Sequence, residues 1–389
     1  MLDGFAGQSV ALRLVANALR RGEVPHAYLI AGPQWLGKRR AALSLGRLLA
    51  CHAPQLDPPV GPVCCGICRS CVLPFGPGTH HDLVCIEPEA SAAKRTGSGE
   101  ADGEVGAEAA VAVATGVIRV DQVRDAERRL SRSLVAGKRR VCVVPDAERM
   151  CRAAAAGNAF LKTLEEPPPQ TAIVLTASNP ADLLPTIVSR CLILPFHPLR
   201  PEQLVPELRW GGEGGEAAED QVSLAAALSN GRLDLAELML REPELRRVRD
   251  RVVAILRESW LGGGLRSLRA PDELHGLCVE WWARTAGAGA VGELGATGRE
   301  RAVRAAAPEL LAFMEGYIRD VMAVRVGATS GLQNTDRAAD VAADAGRFSP
   351  QGLRARLRAL GRTRRALAAN ASSRLALEVA LATMRTLPR

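Results

Sequence analysis

The chain has 389 residues, of which 47% are hydrophobic and 24% charged, with a formal net charge of +8. That length admits two to four domains with a sizeable core, and no apolar run reaches the about 18 residues of a membrane-spanning helix. The charge is local: residues 351–389 hold nine arginines against one acid, Glu378, and the remainder sums to zero.

Residues 1–21 contain Asp3 and three arginines and lack a continuous apolar core, so no secretory signal is expected there and a cytoplasmic location follows. In that reducing compartment, clustered cysteines point to metal rather than to disulfides. Residues 28–31 form a short apolar run that reads as a buried strand, followed after Gly37 by a helix over 41–50 carrying Leu43, Leu45, Leu48 and Leu49.

Between them, Gly32-Pro-Gln-Trp-Leu-Gly37-Lys38-Arg39 fits the G-x-x-x-x-G-K phosphate loop. Such a loop wraps phosphates with backbone N–H groups at a helix N-terminus while the lysine neutralises charge. The next position normally supplies a Ser or Thr hydroxyl to Mg²⁺, but Arg39 offers no metal ligand. Two readings fit: a degenerate nucleotide site, or a vestigial strand–loop–helix turn that binds nothing.

Cys65-Gly-Ile-Cys68-Arg-Ser-Cys71 has the spacing C-x2-C-x2-C, and Cys51 precedes it by 14 positions. Four thiolates suit a closed, structural tetrahedral Zn²⁺ site. Cys64 can substitute for Cys65, and His52, His80 and His81 compete for the fourth place, although surface histidines are the plainer reading. Cys85, Cys142 and Cys191 sit in or beside expected core strands and read as small buried apolar residues.

Leu83–Ile86 is the next strand candidate. Residues 87–116, with six acids, two bases and no aromatic residue, read as a disordered surface insertion. A helix is expected from Asp121 as N-cap, with Val123, Leu130 and Leu134 on one face. The strand Val141–Val144 then leads to Asp146-Ala147-Glu148. A hydrolysing site of this type wants Asp for Mg²⁺ followed by Glu to polarise water. Asp146 is present, Ala147 replaces the Glu, and from an extended strand end Glu148 would point elsewhere. Further on come a helix over about 153–166 stopped by Pro167–Pro169, a strand over Ala172–Thr176 and a strand over Leu192–Leu194. Alternating strands and helices imply an α/β domain with a mostly parallel sheet. Beyond residue 198 the chain is helical, interrupted by a Gly-rich stretch at 211–215 and by loops near 287–298 and 328–336. The Arg-rich C-terminal helix reads as a solvated face, with nucleic-acid contact as the alternative.

Pro25-His-Ala-Tyr-Leu-Ile-Ala-Gly-Pro, the cysteine cluster behind the phosphate loop, Asn158-Ala-Phe-Leu-Lys-Thr-Leu-Glu-Glu-Pro-Pro and Ser189-Arg190-Cys191 together resemble bacterial DNA polymerase III clamp-loader subunits of the AAA+ class. The resemblance is specific over about residues 5–200 and loose beyond. In that family an intact loop marks the hydrolysing gamma/tau subunit, so Arg39 and Ala147 resemble the delta prime branch. The resemblance implies an AAA+ P-loop core over 1–198, a small helical lid over 199–245 and an all-α collar over 246–389. It implies a hetero-oligomer with gamma/tau and delta subunits acting on a sliding clamp and primer-template DNA. It implies that Arg190 serves a neighbouring subunit's ATP in trans, that Gly32, Gly37, Lys38 and Asp146 remain from a nucleotide site of weak or absent affinity, and that Cys51, Cys65, Cys68 and Cys71 hold zinc. Ser178 or Asn179 falls at the family's phosphate-sensing position, and Arg232 near its second sensor. Two features depart from the family: the acidic insertion, and the retention of Lys38, which many delta prime loops lose. The competing classes are a gamma-type ATPase and a free-standing zinc-dependent nucleic-acid binder, the latter disfavoured by only 3% aromatic residues.

Overall fold

The computed structural model describes residues 2–56, 61–88, 116–151, 154–210, 217–261, 266–286 and 294–387. Residues 89–115 of the expected insertion lie outside these. The chain forms two compact units: among the described residues, the first holds 2–88, 116–207 and 231–235, and the second 208–210, 217–230 and 236–387.

In chain order the elements of the first unit are α1 (Ser9–Arg21), β1 (Ala27–Ala31), α2 (Lys38–Ala50), β2 (Leu83–Cys85), α3 (Val120–Leu130), β3 (Arg140–Val144), α4 (Glu148–Cys151), α5 (Ala154–Glu165), β4 (Thr171–Ala177), α6 (Pro185–Val188) and β5 (Leu192–Pro195). The strands build one sheet in the order β2-β3-β4-β1-β5, every neighbouring pair parallel. Each parallel connection needs a crossover, which is why helices lie between the strands.

The strands are apolar at nearly every position because both faces of the sheet are covered. Side chains alternate by two. Ala27, Leu29, Cys142, Val144, Ile173 and Leu175 face one core with Val123 and Leu130 of α3 and Phe160 and Leu164 of α5. Tyr28, Ile30, Val141, Val143, Ala172 and Val174 face the other with Val15 of α1 and Leu45, Leu48 and Leu49 of α2. Cys142 is a fully buried apolar residue as expected, and Cys85 and Cys191 are partly buried beside the same cores.

Two local expectations change. Helix α3 is capped at Arg119, whose N–H donates to Gln122 Oε1 at 2.9 Å. Asp121 therefore lies in the first helical turn, where its charge suits the helix dipole. The loop expected to 298 gives way to helix from Ala296.

A buried ion pair that sequence reasoning did not single out fixes the turn before β3. Asp82, fully buried, accepts the N–H groups of Ala136 and Gly137 at 2.7 Å and of Val135 at 3.0 Å. Arg140 Nη2 reaches it at 3.2 Å, and the two Nη groups also donate to the Arg129, Leu130, Arg132 and Ser133 carbonyls. Burial alone would raise the Asp82 pKa. The Gly137, Ala136 and Val135 N–H groups, with Arg140, more than reverse this and hold the carboxyl below its usual range. Asp82→Asn should destabilise the first unit by about 3–5 kcal/mol, since Arg140 stays buried without a counter-charge. A group whose folded pKa is depressed stabilises above its unfolded value, about 3.9, and loses that contribution as pH falls through the folded value. The wild-type advantage in urea denaturation should therefore be full at pH 7 and shrink below about pH 4; equal midpoints at pH 7 would refute the role.

The second unit is helical. α7 (Pro201–Trp210) and α9 (Leu233–Arg241) each divide between the units, and α8 (Glu219–Ser229) belongs to the second. Then come α10 (Pro243–Leu261), α11 (Arg266–Thr285), α12 (Ala296–Arg325), α13 (Ala338–Arg347), α14 (Pro350–Ala368) and α15 (Ser373–Thr386). Its interior includes Trp281 edge-on to Phe313 at 5.2 Å and Tyr317 donating to the buried Asp344 at 2.7 Å. Arg356, one of the nine C-terminal arginines, is interior: its guanidinium lies 4.7 Å from the Phe348 ring centre and donates to the Leu387 carbonyl at 3.0 Å. Arg364 pairs with Glu315 and Arg374 with Asp272. Part of the basic excess is thus absorbed within the fold. Among the described residues no helix is long and apolar enough to cross a membrane.

Candidate functional site

Parallel α/β sheets present their sites at the carboxyl ends of the strands, where crossovers diverge. Here the ends of β1, β3 and β4 meet. A Cβ on Gly32 would lie 2.3 Å from the Phe196 carbonyl oxygen, so only glycine fits as the chain leaves β1. Trp35 (φ 67) and Gly37 (φ 77) take left-handed conformations that curl the loop into α2. The loop therefore has the strand–turn–helix setting its motif requires.

Its chemistry is altered. Lys38 is buried, and its ammonium donates to the Pro33 carbonyl at 2.6 Å. Burial lowers its pKa, opposed by the nearby carboxylates of Asp146, Glu148 and Asp234. Arg39 turns to the surface and pairs with Glu87. The Gly37 N–H, at the start of α2, donates to Asp234 Oδ2 at 2.8 Å, and Arg40 Nη2 meets Asp234 Oδ1 at 3.0 Å.

At the end of β3 the Asp146 N–H donates to Thr176 Oγ1 at 3.0 Å, and Arg149 Nε lies 3.5 Å from its carboxylate. Ala147 is fully buried, its N–H donating to the Thr176 carbonyl at 2.8 Å. Glu148 does not point elsewhere, as strand alternation suggested. Asp146 takes φ 48 and α4 opens at Glu148, so the chain has left extended geometry. Glu148 Oε1 accepts the Ser178 N–H at 3.2 Å and its charge bears on Lys38. Asn179 uses its side chain to cap the short 3-10 turn Pro180–Asp182, accepting the Ala181 N–H at 3.1 Å. Arg232 is half-buried, two residues before Asp234.

Arg190 follows α6. Its Nη2 lies 2.6 Å from Glu165 Oε1 and its Nη1 donates to the Thr186 carbonyl at 2.9 Å. Glu165 comes from the Leu-Glu-Glu stretch, which thereby contributes a contact as well as a helix end. Leu192 pairs with Tyr28, so Arg190 stands near the start of β1, whereas the phosphate loop follows its end.

The four cysteines Cys51, Cys65, Cys68 and Cys71 come together, with all four Sγ atoms within 4.8 Å of one another, and could hold a metal ion. Cys51 Sγ is 3.5 Å and Cys71 Sγ 4.0 Å from Cys65 Sγ. A Zn–S bond of about 2.3 Å in a tetrahedron requires sulfur–sulfur separations of about 3.8 Å, so the donors fit. All ten cysteines are free thiols. Burial pushes the Cys51 thiol up to about 12 and Cys71 to about 11. Burial also opposes ionisation of Cys68, but the N–H groups of His52 and Cys71 and the neighbouring thiols bring it down to about 6. The Ile67 and Cys68 N–H groups lower the Cys65 pKa as well, so without a cation Cys65 and Cys68 are shifted towards the thiolate and Cys51 and Cys71 away from it. Cys64 stays outside the group and packs against the core. His80 is buried, contrary to the surface reading, with Nε2 3.2 Å from Ser70 Oγ and Nδ1 accepting the Asp82 N–H at 3.2 Å. His52 Nε2 lies 2.9 Å from the Ala136 carbonyl.

Asp234 is the residue missed in this site, and it belongs to no motif. Asp234 lies 197 positions from its Gly37 partner, and only the fold brings them together.

Comparison with known proteins places this architecture. Residues 7–200 match the family model described as DNA polymerase III, delta subunit. The chain is 37% identical over 172 residues to the DNA polymerase III subunit delta′ of Pseudomonas aeruginosa, covering 44% of this chain and 43% of that protein. It is 28% identical over 201 residues to the Bacillus subtilis delta′ subunit, covering 52% and 51%. It is 31% identical over 274 residues to the Escherichia coli K12 delta′ subunit, covering 69% and 71%. The chain thus spans about half the length of the first two relatives and over two thirds of the third.

Proposed function

This chain belongs to the DNA polymerase III delta′ subunit family, and from that premise we propose that it is a structural, non-hydrolysing member of the clamp loader. The phosphate loop carries this reading. It keeps its fold, yet Arg39 leaves the metal-ligand position to pair with Glu87, and Ala147 puts a buried methyl where a water-polarising carboxylate is needed. Glu148 keeps Oε1 on the Ser178 N–H and leaves Oε2 buried without a hydrogen-bond partner, but it stands one position past the water-polarising place. That argues against the gamma-type ATPase alternative.

In this reading gamma/tau and delta subunits are the partners, and the assembly acts on the sliding clamp and primer-template DNA in the cytoplasm. Residues 1–198 are the AAA+ core, 199–245 a small lid and 246–389 the collar. Arg190 is an arginine finger for a neighbour's ATP, Zn²⁺ at Cys51, Cys65, Cys68 and Cys71 is structural, and ATP binding by Gly32, Gly37, Lys38 and Asp146 is weak or absent.

The purified chain should hydrolyse MgATP no faster than background. Arg39→Thr alone should create no activity, because Ala147 still leaves the attacking water unoriented. A phosphate-release assay reads both, and metal-dependent turnover by the wild type would overturn the proposal.

A further inference from the structure

A phosphate loop gathers unpaired N–H groups and a helix dipole that together attract an anion. In this chain an anion of its own is already there. The Gly37 N–H donates to Asp234 Oδ2 at 2.8 Å, Arg40 Nη2 lies 3.0 Å from Oδ1, and the Asp234 N–H donates to the Trp35 carbonyl at 3.0 Å. The segment carrying Asp234 is pinned. Gly231 has φ 79, a Cβ there would sit 2.3 Å from the Leu199 carbonyl oxygen, and its own carbonyl accepts the Leu199 N–H at 2.8 Å. A substitution at Gly231 would therefore move the strap that delivers Asp234.

The electrostatics act in the same direction. Lys38, the one motif cation aimed at phosphate, donates inward to Pro33, and Asp146, Glu148 and Asp234 all bear on it. An incoming polyphosphate would meet three carboxylates around one ammonium, Asp234 already engaging Arg40 and Asp146 engaging Arg149. It would also have to displace a tethered carboxylate, whose effective concentration exceeds that of any free anion at ordinary ligand levels.

We propose that Asp234 is an internal phosphate mimic that closes the phosphate loop, so that the poor nucleotide affinity of this chain is imposed by its own carboxylate and is recoverable by removing it. The inference rests on the non-hydrolysing reading of the same site and adds a cause to it. The loop itself keeps the Gly32, Gly37 and Lys38 of its motif, between β1 and α2.

The test uses the full-length chain. MgADP and inorganic pyrophosphate are titrated calorimetrically into the wild type, Asp234→Asn, Asp234→Ala and the double variant Asp234→Asn/Lys38→Ala. Asp234→Asn removes the charge while keeping the shape and one acceptor, so it decides the matter if Asp234→Ala fails to fold. Expected is an affinity for MgADP about tenfold or more above wild type, competed by pyrophosphate and abolished in the double variant. Equal affinities in the wild type and Asp234→Asn, or a gain that survives Lys38→Ala, would overturn the closure. Failure of the underlying reading is seen separately, as ATP turnover by the wild type, which an ADP titration does not report.

Discussion

Purified protein should contain about one zinc per chain, and Cys68→Ser should lose most of it. The four Sγ atoms already stand at separations a tetrahedral ion requires. Among the described residues of the segment they organise, the one ladder contact is the isolated pair Gln55–Val63, and Ile67 and Val72 are 85% and 64% exposed, while Ser70 and His80 are buried. In zinc-finger peptides the ion supplies about 10–16 kcal/mol of apparent binding energy, which serves as folding energy. Here the cluster hangs on α2 through Cys51, so its loss should loosen residues 51–82 locally while the sheet persists. Metal analysis reads the first effect and amide exchange the second. A chelator should reproduce the variant, and acid should release the ion, because the ligands must be thiolates. Unchanged zinc in Cys68→Ser would sink the assignment, and His52 is not poised to rescue it, since its Nε2 faces the Ala136 carbonyl.

The second large effect is expected at Arg190, in the assembled complex rather than in this chain alone. A guanidinium inserted in trans stabilises charge spreading over the transferring oxygens, and such fingers contribute about 10³–10⁵ in rate in GTPases. A multi-subunit loader has other nucleotide sites with their own arginines, so Arg190→Ala should lower DNA-stimulated hydrolysis by about ten- to a hundredfold and impair clamp loading while assembly persists. The Glu165 contact makes the prediction sharper. In this chain Arg190 is held by Glu165 and the Thr186 carbonyl, and a finger would have to let go of that carboxylate to reach a phosphate. Glu165→Gln should therefore keep hydrolysis at or above the wild-type rate. If both variants lose activity through failed assembly, the arginine is structural. Normal loading by an assembled Arg190→Ala complex would likewise refute the finger.

The sheet was legible because its strands are buried on both faces and so appear as unbroken apolar runs, such as Val141–Val144, set between helical stretches. The cysteine cluster was legible because its close spacing in sequence already suggested four thiols that meet in the fold. What could not be read depends on where the chain bends. Glu148 was misjudged because the left-handed turn at Asp146 ends the strand one residue before alternation would have applied. His80 was judged a surface residue because nothing local signals that Ser70 and the Asp82 N–H await its two nitrogens. Asp82 and Asp234 carry no motif at all, and their partners lie 58 and up to 197 positions away. Long-range polar pairs of this kind leave no periodic trace.

The direction of the strands has a consequence for assembly. Because β1 and β5 run parallel and Leu192 sits opposite Tyr28, Arg190 is level with the residue before β1, and the phosphate loop begins about six residues further along. At about 3.3 Å per residue that is roughly 20 Å. The guanidinium cannot reach the loop of its own chain; whatever phosphate it serves must be brought by another molecule. If Arg190 is a finger and Asp234 closes the loop, as proposed, the subunit has a donor at one end of its strands and a closed receptor at the other, and is polar in the sense of a one-way coupling. Head-to-tail contacts of that type propagate as long as each member both gives and receives. A member that gives and cannot receive marks an end, and an arc that contains it has a defined first and last place.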